Sequence, residues 1–261
     1  MLKYVFNKRS QSVLNQDTEN VAYNADPILN IEPTILRERR IVAQRERTFE
    51  SDIFKLLRTK ILKKLRENRW RSFGITAPTQ GAGKSMVAAN LAIAIAMEVD
   101  ENVLLVDMDL IYPRVNWYFN REVKYGLSDH ILANIPLSNI MFQAEMEGLT
   151  ILPGAGQTIG SSEVISGPKM RQLIREIKHE NPSRIIIFDL PPVLAADDVL
   201  ASMIYYDAML LVIEENVNTP AEVKKSLQLL SGIPLLGTVL NKSENMPDHL
   251  SYYKKEKYYS H

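Results

Sequence analysis

Residues 77–85 read Ala-Pro-Thr-Gln-Gly-Ala-Gly-Lys-Ser and lie between an apolar strand pattern at 73–76 and an alanine-rich helix pattern at 86–97. Glycines let a backbone wrap closely around phosphate oxygens, and the N–H groups at a helix start point toward an anion. Lys84 can then reach the β- and γ-phosphates, while the Ser85 hydroxyl can hold Mg²⁺. The segment therefore predicts a phosphate-binding loop for ATP and Mg²⁺.

The loop is a short form of its motif, because Pro78 stands where the longer form has its first glycine. A chance match inside an ordinary loop is the alternative, and the flanking strand and helix patterns argue against it. The residues expected to contact the nucleotide in this loop are Gly81, Ala82, Gly83, Lys84, Ser85 and Met86.

Two further apolar strand patterns end in carboxylates. One ends at Asp107 and is followed by Asp109, and the other ends at Asp189. In an open parallel sheet, ligands bind outside the carboxyl ends of the strands, where the phosphate loop also lies. An aspartate there can hold Mg²⁺, directly or through water, or accept a proton from an attacking hydroxyl. One such aspartate alone is more often a turn residue or a helix cap, but three beside a phosphate loop favour a site.

The order of patterns predicts an α/β fold. Strand patterns follow the loop helix at 103–107, 149–153, 184–189, 208–214 and 235–241. Helical patterns lie at 34–47, 51–67, about 162–179, 197–204 and 220–231. Alternation of strand and helix predicts a mostly parallel sheet with helices on both faces, of the phosphate-loop NTPase type.

Three regions follow from the same patterns. Residues 1–33 are polar and lack a sustained period, and 34–47 carry a short charged helical pattern, so we expect 1–47 to be a largely disordered or partly helical, flexible extension. Residues 48–243 form the expected phosphate-loop domain, and 244–261 a flexible tail. That tail is rich in tyrosine, with Tyr252, Tyr253, Tyr258 and Tyr259 in its last ten residues.

Composition narrows the class of protein to a soluble intracellular enzyme. The chain has 261 residues, enough for one sizeable core, and no cysteine, so disulfides and thiolate metal sites are excluded. No apolar run is long enough to span a bilayer, and no signal-peptide core is present. Basic and acidic residues balance at 31 each, which gives no indication of nucleic acid as a partner. Residues 1–71 nevertheless carry 16 basic and 9 acidic side chains. We expect this basic segment to be solvated, and contact with an acidic partner surface or an anionic lipid is the alternative.

These motifs together resemble those of the bacterial tyrosine kinases of capsule and exopolysaccharide systems. The loop at 77–85 is similar to the family's short phosphate loop. Asp107-Met108-Asp109 with Pro113 resembles its second motif, and Asp189-Leu190-Pro191-Pro192 its third. The strand ending in Asn241 resembles the segment that contacts adenine, which implies that Asn241 binds the nucleotide. Any one motif would also suit the partition and division-site ATPases.

The resemblance implies an autokinase that acts on its own tail. Family members end in a tyrosine cluster that serves as substrate, so the four tail tyrosines named above are the expected phosphoacceptors. The implied reaction transfers phosphate from ATP·Mg²⁺ to a tyrosine hydroxyl and controls polymerisation and export of a capsule or exopolysaccharide. We expect Lys84, Asp107 and Asp109 to act in catalysis, with Asp107 or Asp109 as the base. Ser85, Asp107 and Asp189 are the expected Mg²⁺ ligands.

The resemblance also implies partners. Family members assemble as rings through an E-x-x-R-x-x-R helix, and the aligned residues here are Asp52, Lys55 and Arg58. They are activated by the cytoplasmic segment of a membrane protein that regulates polysaccharide chain length, and a protein-tyrosine phosphatase is the expected counterpart. The chain is thus expected in the cytoplasm, at the inner face of the cell membrane through its partner.

Two departures keep other functions open. Ile111 stands where the family commonly has arginine, and lysine at position 55 cannot reproduce a guanidinium fork. One alternative is an ATPase switch of the partition or division-site type, although those proteins typically carry lysine where Thr79 stands. The other is a non-catalytic, nucleotide-binding scaffold of polysaccharide export.

Overall fold

A seven-stranded sheet organises the chain. The structure is a computed structural model and describes residues 31–43, 48–98, 102–144, 146–154 and 160–243. The strands are β1 Ser72–Thr76, β2 Val103–Asp107, β3 Phe142–Gln143, β4 Leu149–Leu152, β5 Ile185–Asp189, β6 Ala208–Glu214 and β7 Leu235–Asn241. Their order in the sheet is β3-β4-β2-β5-β1-β6-β7, and all pairs are parallel except β3 with β4. The predicted mostly parallel α/β sheet is confirmed.

The helices cover both faces of this sheet. They are α1 Pro33–Glu38, α2 Phe49–Asn68, α3 Lys84–Ala96, α4 Val115–Tyr118, α5 Leu127–Ala133, α6 Ser161–Ser166, α7 Pro168–Glu180, α8 Asp198–Ser202 and α9 Pro220–Leu229. Alternate residues of each inner strand enter opposite cores. Leu105 and Ile187 pack with α2 and α3, whereas Leu104 and Ile186 pack with α7. The inner strands are therefore buried on both sides, which explains their continuous apolar sequences.

Two predicted helices differ in extent from the observed ones. The helix expected over 34–47 ends at Glu38, and Arg40 beyond it adopts a left-handed φ of 58° that stops the helix. The helix expected over 162–179 is two helices, because the chain is extended at Gly167 and restarts with Pro168. Beyond these, the two short helices α4 and α5 and the edge strand β3 have no counterpart in the sequence patterns.

The described part of the expected extension packs on the domain. Ile41 and Ala43 are buried in the core shared by α2 and α3. Residues 1–30 and the tail at 244–261 lie outside the described residues, so the expected extension and tyrosine cluster are not tested. Among the described residues, no helix combines the length and apolar character needed to cross a membrane.

Candidate active site

The phosphate loop joins β1 to α3 at the carboxyl edge of the sheet. Gly81 and Gly83 adopt left-handed φ angles of 93° and 92°, which strain residues with a side chain. A Cβ atom on Gly83 would also collide with the Asn241 amide. Glycine is therefore required where α3 begins, and the free N–H groups of its first turn face the expected phosphate position.

Lys84, the first residue of α3, is held by carboxylates. Its Nζ lies 2.7 Å from Asp109 Oδ2 and 3.5 Å from Asp189 Oδ1, and it donates to Ser85 Oγ at 3.2 Å. Burial acts to lower the pKa of Lys84, but attraction by Asp189, Asp109 and Asp107 outweighs it, so the net pKa is raised. The ammonium is thus charged and stays within this cluster.

Asp107 is fully buried at the end of β2, and backbone donors fix its orientation. The N–H groups of Arg114 and Val115 both donate to Oδ2 at 2.9 Å, and the Asp109 N–H donates to Oδ1 at 3.2 Å. Burial, followed by repulsion from the Asp189 carboxylate, raises the pKa of Asp107 to about 8. A carboxylate with a pKa near neutrality suits a general base.

Asp109 takes a different place in the network. Its Oδ2 pairs with Lys84, and its Oδ1 accepts from the Tyr112 N–H at 3.0 Å. The ammonium of Lys84 thus pairs directly with this carboxylate, and the side chain is almost fully buried. Between the two candidate bases, this geometry favours Asp107, whose carboxyl is not engaged by Lys84 within hydrogen-bonding distance in the described contacts.

Asp189 lies opposite Asp107 in the register of β5 and β2 and is equally buried. Burial raises the pKa of Asp189, while Lys84 and the Ser85 hydroxyl act against this rise. Among the residues that the structure describes, no donor reaches Asp189 Oδ2, although the atom is buried. An unpaired buried carboxylate oxygen beside a serine hydroxyl suits Mg²⁺, which prefers oxygen ligands. No group of three His, Cys, Asp or Glu side chains in the described ranges could hold a metal alone, so a cation here would need nucleotide and water oxygens too.

On its other side, the loop contacts the end of β7 and the segment that follows β6. Asn241, at the end of β7, donates through Nδ2 to the Ala82 carbonyl at 2.8 Å. Met86 is half-buried, with its methyl group 3.9 Å from where a Gly83 Cβ would lie. Asn218 donates to Thr79 Oγ1 at 2.7 Å, so an amide from the segment after β6 supports the loop from that side. The structure therefore brings the expected loop residues, Asn241 and the three aspartates together, and their roles toward nucleotide stay predictions.

The residues of α2 that are expected to contact a neighbouring subunit form contacts within their own chain. Lys55 Nζ bonds Asp52 Oδ1 of the same helix at 3.1 Å. Arg58 donates to the Ala94 carbonyl at 3.1 Å and pairs with Glu98 at 2.9 Å, so it caps the end of α3. Within the described ranges, its buried Nε has no hydrogen-bond partner. A subunit contact through these residues stays a prediction.

Two features of the site were not identified from the sequence. The backbone donors at 114 and 115 that orient Asp107 leave no side-chain signal. Asn90 of α3, which is fully buried, did leave one: it is the single polar residue in the apolar run from Met86 to Met97.

The sequence has relatives of known class. No family model matches the chain. The tyrosine-protein kinase YwqD of Bacillus subtilis (strain 168) is 28% identical over 218 residues, which cover 82% of this chain and 90% of YwqD. The tyrosine-protein kinase Etk of Escherichia coli (strain K12) is 28% identical over 187 residues, 71% of this chain but 25% of Etk. The chain is a homologue of bacterial tyrosine kinases. This confirms the resemblance drawn from the motifs.

Solved structures agree with these sequence relatives. The chimerical protein CapA2B2 aligns with a TM-score of 0.74 and 28% identity, covering 80% of this chain and 91% of that one. The kinase domain of Escherichia coli ETK aligns with a TM-score of 0.67 and 27% identity, covering 74% and 77%. MinD of Pyrococcus horikoshii, complexed with Mg-ADP, aligns with a TM-score of 0.52 and 24% identity over 70% and 76%. The likeness to MinD shows a shared fold.

Proposed function

We propose that the chain is an ATP-dependent protein-tyrosine kinase that phosphorylates the four tail tyrosines. The observation that carries the proposal is the convergence of Lys84 with three buried carboxylates at the phosphate loop. The homologues are named tyrosine-protein kinases, which supports this activity over ATP hydrolysis alone.

In the proposed reaction, the tyrosine oxygen bonds to the γ-phosphorus and the bond from that phosphorus to the β–γ bridging oxygen breaks. Such transfer depends mainly on positioning and on neutralising charge in a loose, anionic transition state. The backbone N–H groups from Gly81 to Met86 bind phosphate, and Lys84 neutralises the charge that develops on the leaving oxygen. Asp107 accepts the phenolic proton, whose ordinary pKa is about 10.

The residues present fit Mg²⁺ as well as nucleotide. Ser85 and Asp189 would hold the cation, with Asp107 as a further candidate ligand. A bound Mg²⁺ supplies charge neutralisation and alignment of the phosphate oxygens. The unpaired Oδ2 of Asp189 is the structural support for this assignment.

The cellular role proposed here is control of capsule or exopolysaccharide polymerisation and export. Its proposed setting is the cytoplasmic face of the membrane, with a membrane chain-length regulator as activator and a protein-tyrosine phosphatase as counterpart. The kinase would assemble as a homo-oligomer through α2, with Asp52, Lys55 and Arg58 in the contact. Support comes from the motif resemblance and from the similarity to the CapA2B2 chimera.

The test is incubation with labelled ATP and Mg²⁺, followed by mapping of phosphotyrosine. We expect wild type to label its tail and Lys84→Met to label nothing, because lysine acts on the anionic transition state. Lys225→Met, on the exposed face of α9, removes a lysine that makes none of the described contacts with the loop, and it should label as wild type does.

Three outcomes separate the candidates. Phosphotyrosine that depends on Lys84 supports the kinase. ATP hydrolysis without phosphotyrosine would assign the chain to the switch ATPases, and nucleotide binding with neither activity would make it a scaffold. Unchanged labelling in Lys84→Met would contradict the proposed loop mechanism.

A further inference from the structure

A segment before the main domain is fastened to the phosphate-loop helix. Residues 31–43, which we call the strap, comprise α1 and the chain that follows it. Ile41 and Ala43 are 2% and 3% exposed, and the Ile41 N–H donates to the Leu36 carbonyl at 2.8 Å. Leu36 and Val42 pack against the same core. The strap is therefore docked by burial of apolar side chains between Leu36 and Ala43.

The amide of Asn90 holds the strap to α3 with its full hydrogen-bonding capacity. Its Oδ1 accepts from the N–H groups of Val42 at 2.7 Å and Ala43 at 2.9 Å. Its Nδ2 donates to the carbonyls of Arg40 and Met86, both at 2.9 Å. An asparagine has two donors and two acceptor positions, so every one is used. Three of the four partners belong to the strap, and the fourth lies in the first turn of α3, beside Ser85.

A second contact joins the strap to the segment that orients Asp107. The Arg39 guanidinium lies 4.2 Å from the centroid of the Trp117 ring, and it donates to Asn120 Oδ1 at 3.1 Å. Trp117 belongs to α4, whose N-cap Arg114 and first residue Val115 are the backbone N–H donors to Asp107. The strap thus bridges the two parts of the site, the helix that carries Lys84 and the turn that fixes Asp107.

We propose that Asn90 is a positioning residue, through which strap docking and Mg²⁺–nucleotide binding stabilise each other. Without the Asn90 amide, the buried N–H group of Ala43 and the part-buried Val42 N–H and Arg40 carbonyl would lose their partners, which is costly. The whole strap would then dissociate from α3, and these groups would form hydrogen bonds with water instead. Because binding coupling is reciprocal, a nucleotide that requires the docked arrangement must also hold the strap closed. The proposal rests on the nucleotide site proposed above.

Hydrogen exchange on the full chain tests the coupling. Exchange at the Val42 and Ala43 amides is followed with and without Mg–ADP, and Mg–ADP affinity is measured by calorimetry. We expect Mg–ADP to slow exchange at these amides about tenfold, within the usual range of coupling between sites. Asn90→Leu keeps the branched shape of the side chain in the apolar helix but replaces the amide with two methyl groups, so ADP should bind about tenfold more weakly and no longer affect exchange there.

Two further variants separate coupling from folding. Glu38→Gln alters an exposed residue of α1 and should match wild type in both readouts. Arg39→Ala removes only the surface tie to α4, so it should fold, speed exchange at Val42 and Ala43, and weaken ADP binding even if Asn90→Leu fails to fold. Bound Mg–ADP with unchanged exchange at both amides in wild type refutes the strap proposal and leaves the kinase intact. Nucleotide-dependent protection without any phosphotyrosine refutes the kinase and leaves the strap.

Discussion

Asp107→Asn is expected to stabilise the nucleotide-free protein at pH 8 while it abolishes tyrosine phosphorylation. Burial, together with the Asp189 carboxylate opposite it in the sheet, raises the pKa of Asp107 from 3.8 to about 8. The unfolded chain therefore loses this proton at about pH 4, but the folded chain keeps it to about pH 8. Across that interval the folded state binds more protons than the unfolded state, so the wild-type free energy of unfolding falls as pH rises.

The magnitude follows from the size of the shift. About four pKa units at 1.36 kcal/mol each correspond to on the order of 5 kcal/mol, reached by pH 8 and absent below about pH 4. Asparagine cannot ionise and escapes this loss. Its oxygen can still accept from Arg114 and Val115, but its NH₂ group then faces the Asp109 N–H, a mismatch of about 1–3 kcal/mol. The variant should thus be about 2–4 kcal/mol more stable than wild type at pH 8 and about 1–3 kcal/mol less stable near pH 4.

Urea unfolding in the presence of a chelator, at several pH values between these limits, measures the difference. Asp52→Asn, which removes a half-buried carboxylate from α2, serves as the matched control and should show no change of sign. A constant difference between Asp107→Asn and wild type across the whole range would refute the reasoning, because Asp107 would then ionise as easily in the fold as in the unfolded chain. Phosphotyrosine formation should be lost at every pH, since an amide cannot accept the phenolic proton.

The other predictions concern the tail, α2 and the loop. Phenylalanine at all four tail tyrosines should remove most phosphotyrosine and leave ATP binding intact; mass spectrometry that places the modification chiefly in the core would contradict this. Arg58→Ala should lower the free energy of unfolding by about 1–3 kcal/mol, because the Ala94 carbonyl loses its donor. Lys55→Ala, which removes a surface ion pair, should change it by less than about 0.5 kcal/mol. Thermal unfolding of both variants measures the difference. Gly83→Ala should weaken ATP binding in a direct titration, because its Cβ collides with the Asn241 amide in a left-handed backbone, and wild-type affinity would show that the loop can rearrange.

The sheet was predictable because most of its strands are buried on both faces. The pattern at 103–107 matches β2 to the residue, and the carboxylates that follow such strands meet at one edge because the strands are parallel. The short elements α4, α5 and β3 are too brief for a hydrophobic period, so tertiary contacts decide them. The break at Gly167-Pro168 did carry a local signal, since proline favours the first position of a helix.

Parts of the site could be inferred from side-chain types and others could not. Lys84, Asp107 and Asp189 stand in recognisable motifs, so their convergence was expected. The donors that orient Asp107 are backbone N–H groups, which every residue except proline has, so no residue type indicates them. The contacts of Asn90 reach the strap 47 and 48 residues away, and a sequence pattern shows only that one polar residue interrupts an apolar helix.

The charge balance at the site explains why it should select nucleotide with its cation. Lys84 is the single cation paired with carboxylates there in the described contacts, and Asp109 and Asp189 already engage its Nζ. A bare polyphosphate would have to displace these carboxylates from Lys84 and would then lie beside three buried acids, where like charges repel strongly. Burial is the largest cause of the raised pKa of both Asp107 and Asp189, so their ionised forms are costly in the folded site without a nearby cation. A nucleotide that carries a divalent cation brings positive charge that favours the ionised carboxylates, frees Lys84 for the phosphates and gives the unpaired Asp189 Oδ2 a partner. Cation and nucleotide should therefore bind as one ligand.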